Sequence, residues 1–192
     1  NDHTAMIEEA QPAMFREFQK IARLNRDCVI TEKIDGTNSQ VFIDNNNNLL
    51  AGSRNRWIYP GKQTDNFGFA AWVEANKDDL LKLGPGTHYG EWWGPGIQRG
   101  YGLKEKTFSL FNIERWKDEA IRPKCCRVVP IIYEGLFHST AIDSALHELR
   151  IRGSFSSPGF MRPEGIVIYH RSSRQLFKVT LENDESPKSL VL

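Results

Sequence analysis

The chain has 192 residues, of which 40% are hydrophobic, enough to fill one core but few for two. Its 25 basic and 24 acidic residues give a formal net charge of +1, which excludes a global field attracting nucleic acid or an anionic membrane. Because no apolar run reaches the roughly 20 residues that span a bilayer, and the start lacks a signal segment, we expect one soluble, cytoplasmic domain over residues 1–192.

The first predicted elements lead to a lysine. Apolar residues over 10–26 recur at the spacing of an amphipathic helix, and Pro12 suits its first turn. Residues 28–31 are apolar and β-branched enough to predict a strand, which ends on Glu32 and Lys33. A charged pair at the end of a buried strand is therefore the first candidate for a functional site.

A β-hairpin is predicted next. Residues 40–43 form its first strand, and the chain returns through 49–51 after the polar run 44–48. Asparagine tolerates positive φ, so this run favours a turn over a disordered tract. We expect the hairpin to bring Arg54 towards the same cleft as Lys33.

The remaining elements are strands separated irregularly by short helices. Asp65 is placed to cap a helix over 67–83, which ends at 84–86, and a second helix over 140–151 ends at Gly153. Further strands are predicted over 87–93, 107–113, 127–133, 165–169 and 175–180, the last two forming a hairpin. This pattern favours an α+β domain with antiparallel sheets over an alternating βαβ fold.

The chemistry of the segment Lys33-Ile34-Asp35-Gly36 suits a nucleophile. A lysine must lose its proton to attack phosphorus, and its ordinary pKa of about 10.4 makes the free amine scarce at neutral pH. Burial favours the neutral amine, whereas Asp35 favours the charged form and therefore suits an orienting or proton-handling role. Gly36 allows close backbone approach. Taken alone, this short pattern is more typical of a solvated turn.

Further segments extend the pattern along the chain. They are Ser53-Arg54, Tyr89-Gly90-Glu91, Phe108 to Phe111, Glu164 to Val167, and Phe177-Lys178. In this order they resemble the motifs of covalent nucleotidyltransferases, the superfamily of DNA ligases, RNA ligases and capping guanylyltransferases. The run from Glu32 to Asn38, together with Gly-Glu-Trp-Trp-Gly-Pro-Gly-Ile-Gln over 90–98, is most similar to the RNA ligase 2 family.

The resemblance covers about residues 29–180 and implies both fold and reaction. The implied fold is a nucleotidyltransferase core, an ATP-grasp-like ligase core of mostly antiparallel sheets with peripheral helices. Lys33 would attack the α-phosphate of ATP, forming lysyl-AMP and releasing pyrophosphate. The AMP would pass to a 5′-phosphate, and a 3′-hydroxyl would displace it to seal the ends. Mg²⁺ suits such a site, and Mn²⁺ could substitute for it.

The resemblance also implies the residues that hold the nucleotide. Glu32 would accept from the adenine amino group, Arg54 and Glu91 would hold the ribose hydroxyls, and Phe111 would stack on the adenine. Each has a plainer alternative. Phe111 taken alone is more simply a core aromatic, and surface ion pairs are the alternative for Arg54 and Glu91, although their places at strand ends favour the pocket.

Three further residues are implied around the phosphates. Asn38 would help to place the phosphate or a hydrated metal, and Glu164 resembles the metal-associated glutamate of the family. Lys178 resembles a lysine that neutralises charge on the α-phosphate, and it completes the implied catalytic set with Lys33 and Glu164. An exposed loop carboxylate is the plainer interpretation of Glu164.

The last motif departs from the family, which usually has two lysines separated by one residue. Thr180 stands at the second place, or, in another register, Leu176 stands at the first. One phosphate-binding charge is therefore missing unless Lys188 or Arg174 replaces it. Such a loss puts the rate of self-adenylylation in doubt.

Nucleic acid ends are the implied partners, RNA more than DNA, with no membrane partner. The chain stops soon after the last motif, which predicts one adenylyltransferase domain without a separate C-terminal nucleic-acid-binding domain. The nucleotide pocket does not identify the sugar of the strand, so a DNA nick-sealing ligase stays an alternative. The other is a degenerate module that binds nucleotides or nucleic acid ends without forming the adduct.

Overall fold

The computed structural model of the chain describes residues 13–182. Its strands are β1 (Asp27–Lys33), β2 (Thr37–Ile43), β3 (Leu49–Gly52), β4 (Trp57–Ile58), β5 (Gly86–Trp93), β6 (Thr107–Leu110), β7 (Cys126–Val128), β8 (Ile131–Leu136), β9 (Gly165–His170) and β10 (Gln175–Thr180). Its α-helices are α1 (Phe69–Ala75), α2 (Lys77–Leu80), α3 (Ile113–Trp116) and α4 (Ser139–Arg152).

The strands form two sheets. The first has four strands in the order β10-β9-β1-β8, and the second has six in the order β4-β3-β2-β5-β6-β7. Strands β6 and β7 pair in parallel, and the other neighbours pair antiparallel. This confirms the predicted α+β class with mostly antiparallel sheets.

Each sheet packs one face on helices. In the first sheet, Ile30 of β1 and Ile168 of β9 share an apolar cluster with Leu149 of α4. In the second sheet, Val41 of β2 and Trp92 of β5 share a cluster with residues of α1 and α2. Side chains alternate along a strand, so Gln40 of β2 and Glu91 of β5, each next to one of these residues, lie on the opposite face of the second sheet. We call this the open face.

A third apolar cluster joins the two sheets. Val29 comes from β1 of the first sheet and Trp93 from β5 of the second, and both pack with Tyr101. Ile34 belongs to the same cluster and is 3% exposed. Burial of Ile34 fixes the chain immediately after Lys33, so the lysine lies where the two sheets meet.

The hairpins are confirmed. Strands β2 and β3 pair as predicted, and the Asp44 carboxylate accepts from the backbone N–H groups of Asn46 and Asn48 in the turn. Asn47 has a φ of 63°, the left-handed conformation for which asparagine suits such a turn. The second predicted hairpin forms as β9 and β10.

The predicted helix over 10–26 is wrong where it can be assessed. Residues 10–12 lie outside the described part, and 13–26 form no helix. The apolar side chains of Phe15 and Phe18 are 93% and 85% exposed. A short helix is marginal in water without a packed apolar face, and the described residues offer these side chains no such face.

The predicted helix over 67–83 is shorter and divided. It comprises α1, α2 and a 3-10 turn over Leu81–Leu83, with Asn76 between the two helices. Asp65 does cap its start, because its carboxylate accepts from the backbone N–H groups of Ala70 at 2.8 Å and Ala71 at 3.0 Å.

Three other boundaries differ from the predictions. The strand over 107–113 ends at Leu110, and the strand over 127–133 is divided into β7 and β8. Pro130 lies between these two and has no N–H to donate to a ladder. Helix α4 starts at Ser139 because His138 Nδ1 accepts from the Ala141 N–H, and it ends as predicted at Gly153, whose φ is 77°.

None of the helices within residues 13–182 is both long and apolar enough to cross a membrane.

Candidate active site

Lys33 is held at the end of β1 opposite the start of β9. It pairs with Gly165, and its Nζ lies 2.9 Å from Oε2 of Glu164. The side chains are only 25% and 18% exposed. A Cβ on Gly165 would collide with the Val179 carbonyl oxygen of β10. Glycine at this position therefore lets β9 and β10 approach closely and places Glu164 beside the lysine.

The turn after Lys33 is fixed from three sides. The Asp35 backbone N–H donates to the Tyr101 hydroxyl at 2.7 Å, and Arg99 Nε donates to the Asp35 carboxylate at 3.1 Å. A Cβ on Gly36 would meet the Trp92 carbonyl oxygen, so this position requires glycine. Burial, followed by the neighbouring Glu164 charge, raises the Asp35 pKa. The ion-pair partner of Asp35 is therefore Arg99, and that of Lys33 is Glu164.

Glu91 lies on the open face of the second sheet and is only 8% exposed. It pairs across the strands with Asn38, and its Oε2 accepts from the Gly36 N–H at 3.4 Å. Its Oε1 is buried and has no hydrogen-bond partner among the described residues. Burial raises its pKa to about 7. A buried acceptor without a donor is costly, and a ligand hydroxyl would satisfy it.

Arg54 and Phe111 both lie at exposed strand ends. Arg54 follows β3 by two residues and lies in the loop that leads to β4. Phe111 follows β6 and is 42% exposed, which excludes the core alternative for this ring. Arg54 is exposed and forms no ion pair with residues 13–182, so the surface ion-pair alternative also fails for it.

Glu32 requires a correction. Its carboxylate accepts from the Ser154 hydroxyl at 2.8 Å and from the backbone N–H groups of Phe155 at 2.7 Å and Ser156 at 2.9 Å. The residue is 1% exposed, so no adenine amino group reaches its side chain. Successive strand side chains face opposite ways, and the neighbour of Lys33 therefore points away from the cleft.

Lys178 is an exposed residue of β10. It pairs with Val167, and Thr180 pairs with Gly165, the partner of Lys33. Alternation places Lys178 and Thr180 on one face of the first sheet, the face of Lys33. Strand β10, which carries Lys178, lies two strand spacings, about 10 Å, from β1.

Two residues, Arg174 and Lys188, are the sequence candidates to replace the missing lysine. Arg174 lies in the turn before β10 with a φ of 56°, and Leu176 is 68% exposed. Lys188 lies outside the described residues. No second cation on β10 therefore accompanies Lys178 along the described part of this strand.

Glu164 is the candidate metal ligand of the site. Across residues 13–182 no three His, Cys, Asp or Glu side chains are grouped to hold a metal ion. One Glu164 oxygen contacts Lys33, and the other accepts no hydrogen bond from the described residues. Mg²⁺ commonly takes one or two carboxylates and completes its shell with water and substrate phosphate. Glu164 fits that mode of binding, whereas the described residues do not form a closed cage of protein ligands around a metal ion.

Sequence reasoning missed a hydrogen-bonded chain that supports the lysine turn. Ser154, which donates to Glu32, accepts from the Ser157 N–H, and the Ser157 hydroxyl donates to the Tyr101 carbonyl. The Tyr101 hydroxyl then accepts from Asp35. Glu32 and Ser154 are 122 residues apart, and no local pattern signals such a pairing.

Comparison with known proteins agrees with this geometry. The family model described as RNA ligase matches residues 26–180, and no curated protein sequence matches the chain. A Naegleria gruberi RNA ligase variant with ATP and Mn aligns with a TM-score of 0.58 and 19% identity over 81% of this chain and 49% of that chain. An apo variant of the same ligase aligns with a TM-score of 0.59 and 21% identity over 82% of this chain and 50% of that chain.

A third Naegleria gruberi variant, with AMP and Mn, aligns with a TM-score of 0.57 and 20% identity over 82% of this chain and 50% of that chain. The chain thus spans about half the length of these ligases. Structural matches at these low identities show a shared fold, and they confirm the predicted architecture.

Proposed function

This chain belongs to the RNA ligase family, and we propose that it is an ATP-dependent RNA ligase with Lys33 as its nucleophile. The single observation that carries the proposal is the half-buried Lys33, 2.9 Å from Glu164, at the junction of two sheets. A solvated turn would leave the lysine exposed. Here burial and a carboxylate partner hold its amine in one place.

The first step is adenylylation of the lysine. Once the ammonium loses its proton, for which the Glu164 oxygen is the nearest acceptor, the Nζ–phosphorus bond forms as the bond from the α-phosphate to pyrophosphate breaks. Mg²⁺, held in part by Glu164, would neutralise phosphate charge when bound. Lys178, on the same face of the first sheet, would offset charge on the α-phosphate.

The nucleotide pocket uses the open face of the second sheet. The buried Oε1 of Glu91 would accept from a ribose hydroxyl, which gives this orphaned atom its donor. Arg54 would hold the other hydroxyl, and the exposed Phe111 ring would stack on the adenine. Asn38, paired with Glu91, would help to place the phosphate.

Two further steps complete the proposed reaction. The AMP passes from Lys33 to a 5′-phosphate on RNA, and a 3′-hydroxyl then displaces it. The match to the RNA ligase family favours RNA over DNA as the strand. We propose that residues 1–192 form one adenylyltransferase domain, which supplies the chemistry of all three steps.

Intact mass spectrometry after incubation with ATP and Mg²⁺ tests the nucleophile. We expect a mass increase of one AMP on the wild-type chain and none on Lys33→Ala, since only Lys33 is held for attack. Lys104→Ala, which removes an exposed lysine, is the matched control and should still form the adduct. No adduct on the wild type across a broad pH range would reject the assignment.

Sealing of nicked substrates tests the strand. Wild type should join nicked RNA faster than nicked DNA of the same sequence. Faster joining of DNA would replace RNA ligase with DNA nick-sealing ligase, while an adduct without any sealing would leave only the adenylylation step.

A further inference from the structure

The open face of the second sheet carries a line of side chains that crosses four strands. Trp57 of β4 pairs with Gly52 of β3, Gly52 with Gln40 of β2, and Gln40 with Tyr89 of β5. Trp57 is 45% exposed and Tyr89 is 58% exposed. We call Trp57, Gln40 and Tyr89 the aromatic row. Neither ring is used by the core or by the nucleotide pocket described above.

Between the two rings, the side chain of Gln40 covers Gly52. The Gln40 side chain donates to the Ser53 carbonyl at 3.0 Å, and a Cβ on Gly52 would lie 2.7 Å from its Cγ, so the amide lies across the glycine. The rings are three strand spacings apart, about 14 Å. Trp57 is supported from one side by Phe42, with ring centroids 6.1 Å apart.

Positive charge adjoins the Trp57 end of the row. Arg54 and Arg56 lie in the exposed loop between β3 and β4, and neither forms an ion pair within residues 13–182. The loop is anchored, because the Ser53 N–H donates to the Arg56 carbonyl at 2.8 Å and Ile58 is 2% exposed. A fixed basic loop beside exposed aromatic rings is complementary to phosphates and bases together.

The other end of the row reaches the nucleotide pocket. Tyr89 accepts a backbone hydrogen bond from Phe111 at 3.0 Å, and it lies two residues before Glu91 on the same face. A strand lying along the row would therefore lead to the site of Lys33. The RRM is an example of a sheet whose exposed aromatic rings bind single-stranded RNA by stacking two or three bases.

We propose that the aromatic row binds one single strand of RNA, with bases stacked on Trp57 and Tyr89 and a phosphate beside Arg56. The proposal rests on the proposed function, since it names the surface that presents a strand end to Lys33. Flat aromatic faces require unpaired bases, because a duplex covers the faces of its bases. The surface is therefore specific for single strands, and tolerant of sequence because every base has a face to stack.

Fluorescence anisotropy with a labelled, 5′-phosphorylated single-stranded RNA, without ATP, tests this surface on the full chain. Trp57→Ala should weaken binding about tenfold, whereas Trp57→Phe should keep most of the affinity because a ring remains. Arg56→Gln should reduce the slope of log affinity against log salt by about 0.7, the value for one lost phosphate contact on a single strand. Arg150→Gln on the exposed side of α4 is the matched control and should change neither quantity.

The outcomes distinguish a failure of the RNA-binding proposal from a failure of the proposed reaction. Trp57→Ala and Arg56→Gln should form lysyl-AMP as wild type does, which also shows that they fold. Affinity independent of both residues would overturn the row, even if wild type forms the adduct. An equal loss of affinity for duplex RNA of the same sequence in Trp57→Ala would also overturn it. Loss of RNA affinity in both variants of a chain that forms no adduct would support the row and reject the proposed reaction.

Discussion

Glu91 illustrates how one buried atom reports on a ligand. Its Oε1 has no donor among the described residues, and burial raises the pKa of the carboxyl to about 7. A ribose hydroxyl donating to this atom would stabilise the charged form. Binding of nucleotide should therefore lower this pKa and release a proton near neutral pH.

The same group makes the stability of the ligand-free chain depend on pH. A pKa raised from 4.5 to about 7 means that the folded state binds the proton more tightly, so stability falls as pH rises between these values and levels off above them. Glu91→Gln should remove this fall, about 3 kcal/mol of unfolding free energy at most. Urea unfolding from pH 4.5 to 8 measures it.

Glu74→Gln is the control for this measurement, because Glu74 lies exposed on α1. Its profile should match that of wild type. If the Glu91→Gln profile also matches wild type between pH 4.5 and 7, the carboxylate is not held in the buried, donor-poor state described.

At the scale of elements, the loop between β5 and β6 supports the lysine turn. Tyr101 lies in this loop with a φ of 59° and is 1% exposed. Its ring packs on Trp93 and Phe160, with centroids 5.1 Å and 4.7 Å apart, while its hydroxyl accepts from Asp35. An unfavourable backbone conformation is thus maintained by packing, and the loop acts as a fixed platform below the turn.

Tyr101→Phe should disturb the turn while keeping the ring. The Asp35 N–H would lose its acceptor, at a cost of about 1–3 kcal/mol. Urea unfolding should show this loss, and quenched-flow mass spectrometry should show slower lysyl-AMP formation. In the control, Tyr133→Phe, the lost hydroxyl donates to an exposed carbonyl of Leu136, so the effect should be smaller. Equal stability of Tyr101→Phe and wild type would contradict the supporting role.

At the scale of the whole molecule, the candidate site takes its parts from both sheets. Lys33 ends β1 of the first sheet, Glu164 immediately precedes β9 of the same sheet, and Glu91 lies on β5 of the second. The sheets have separate helix-packed cores and share the cluster that contains Val29 and Trp93. A nucleotide in this site would contact both sheets. It would therefore bind the folded state and not the unfolded state.

Nucleotide should therefore stabilise the whole chain. Lys33→Ala cannot form the covalent adduct, so ATP with this variant reports binding only. At 100 times the dissociation constant, ATP should add about 2.7 kcal/mol of stability, seen as a higher midpoint of thermal unfolding. No rise with ATP would contradict a pocket shared by the two sheets.

Local features were predictable from the sequence. The hairpin turn at Asp44 and the end of α4 at Gly153 follow from turn and capping chemistry within a few residues. The order of motifs likewise placed Lys33 and Glu164 in one site. The exposed segment 13–26 shows the limit of such patterns, since helical spacing does not supply a surface to pack on.

Tertiary structure decided which side chains face the cleft. Lys33 and Glu164 are 131 residues apart, and their contact depends on the pairing of β1 with β9. The same pairing turns Glu32 inward to the loop at Ser154, against the role predicted for it. Sequence alone determined the strand that ends on Lys33, because alternation and turns are local. Strand register and partners arise from long-range packing, and they determined which residues could surround that lysine.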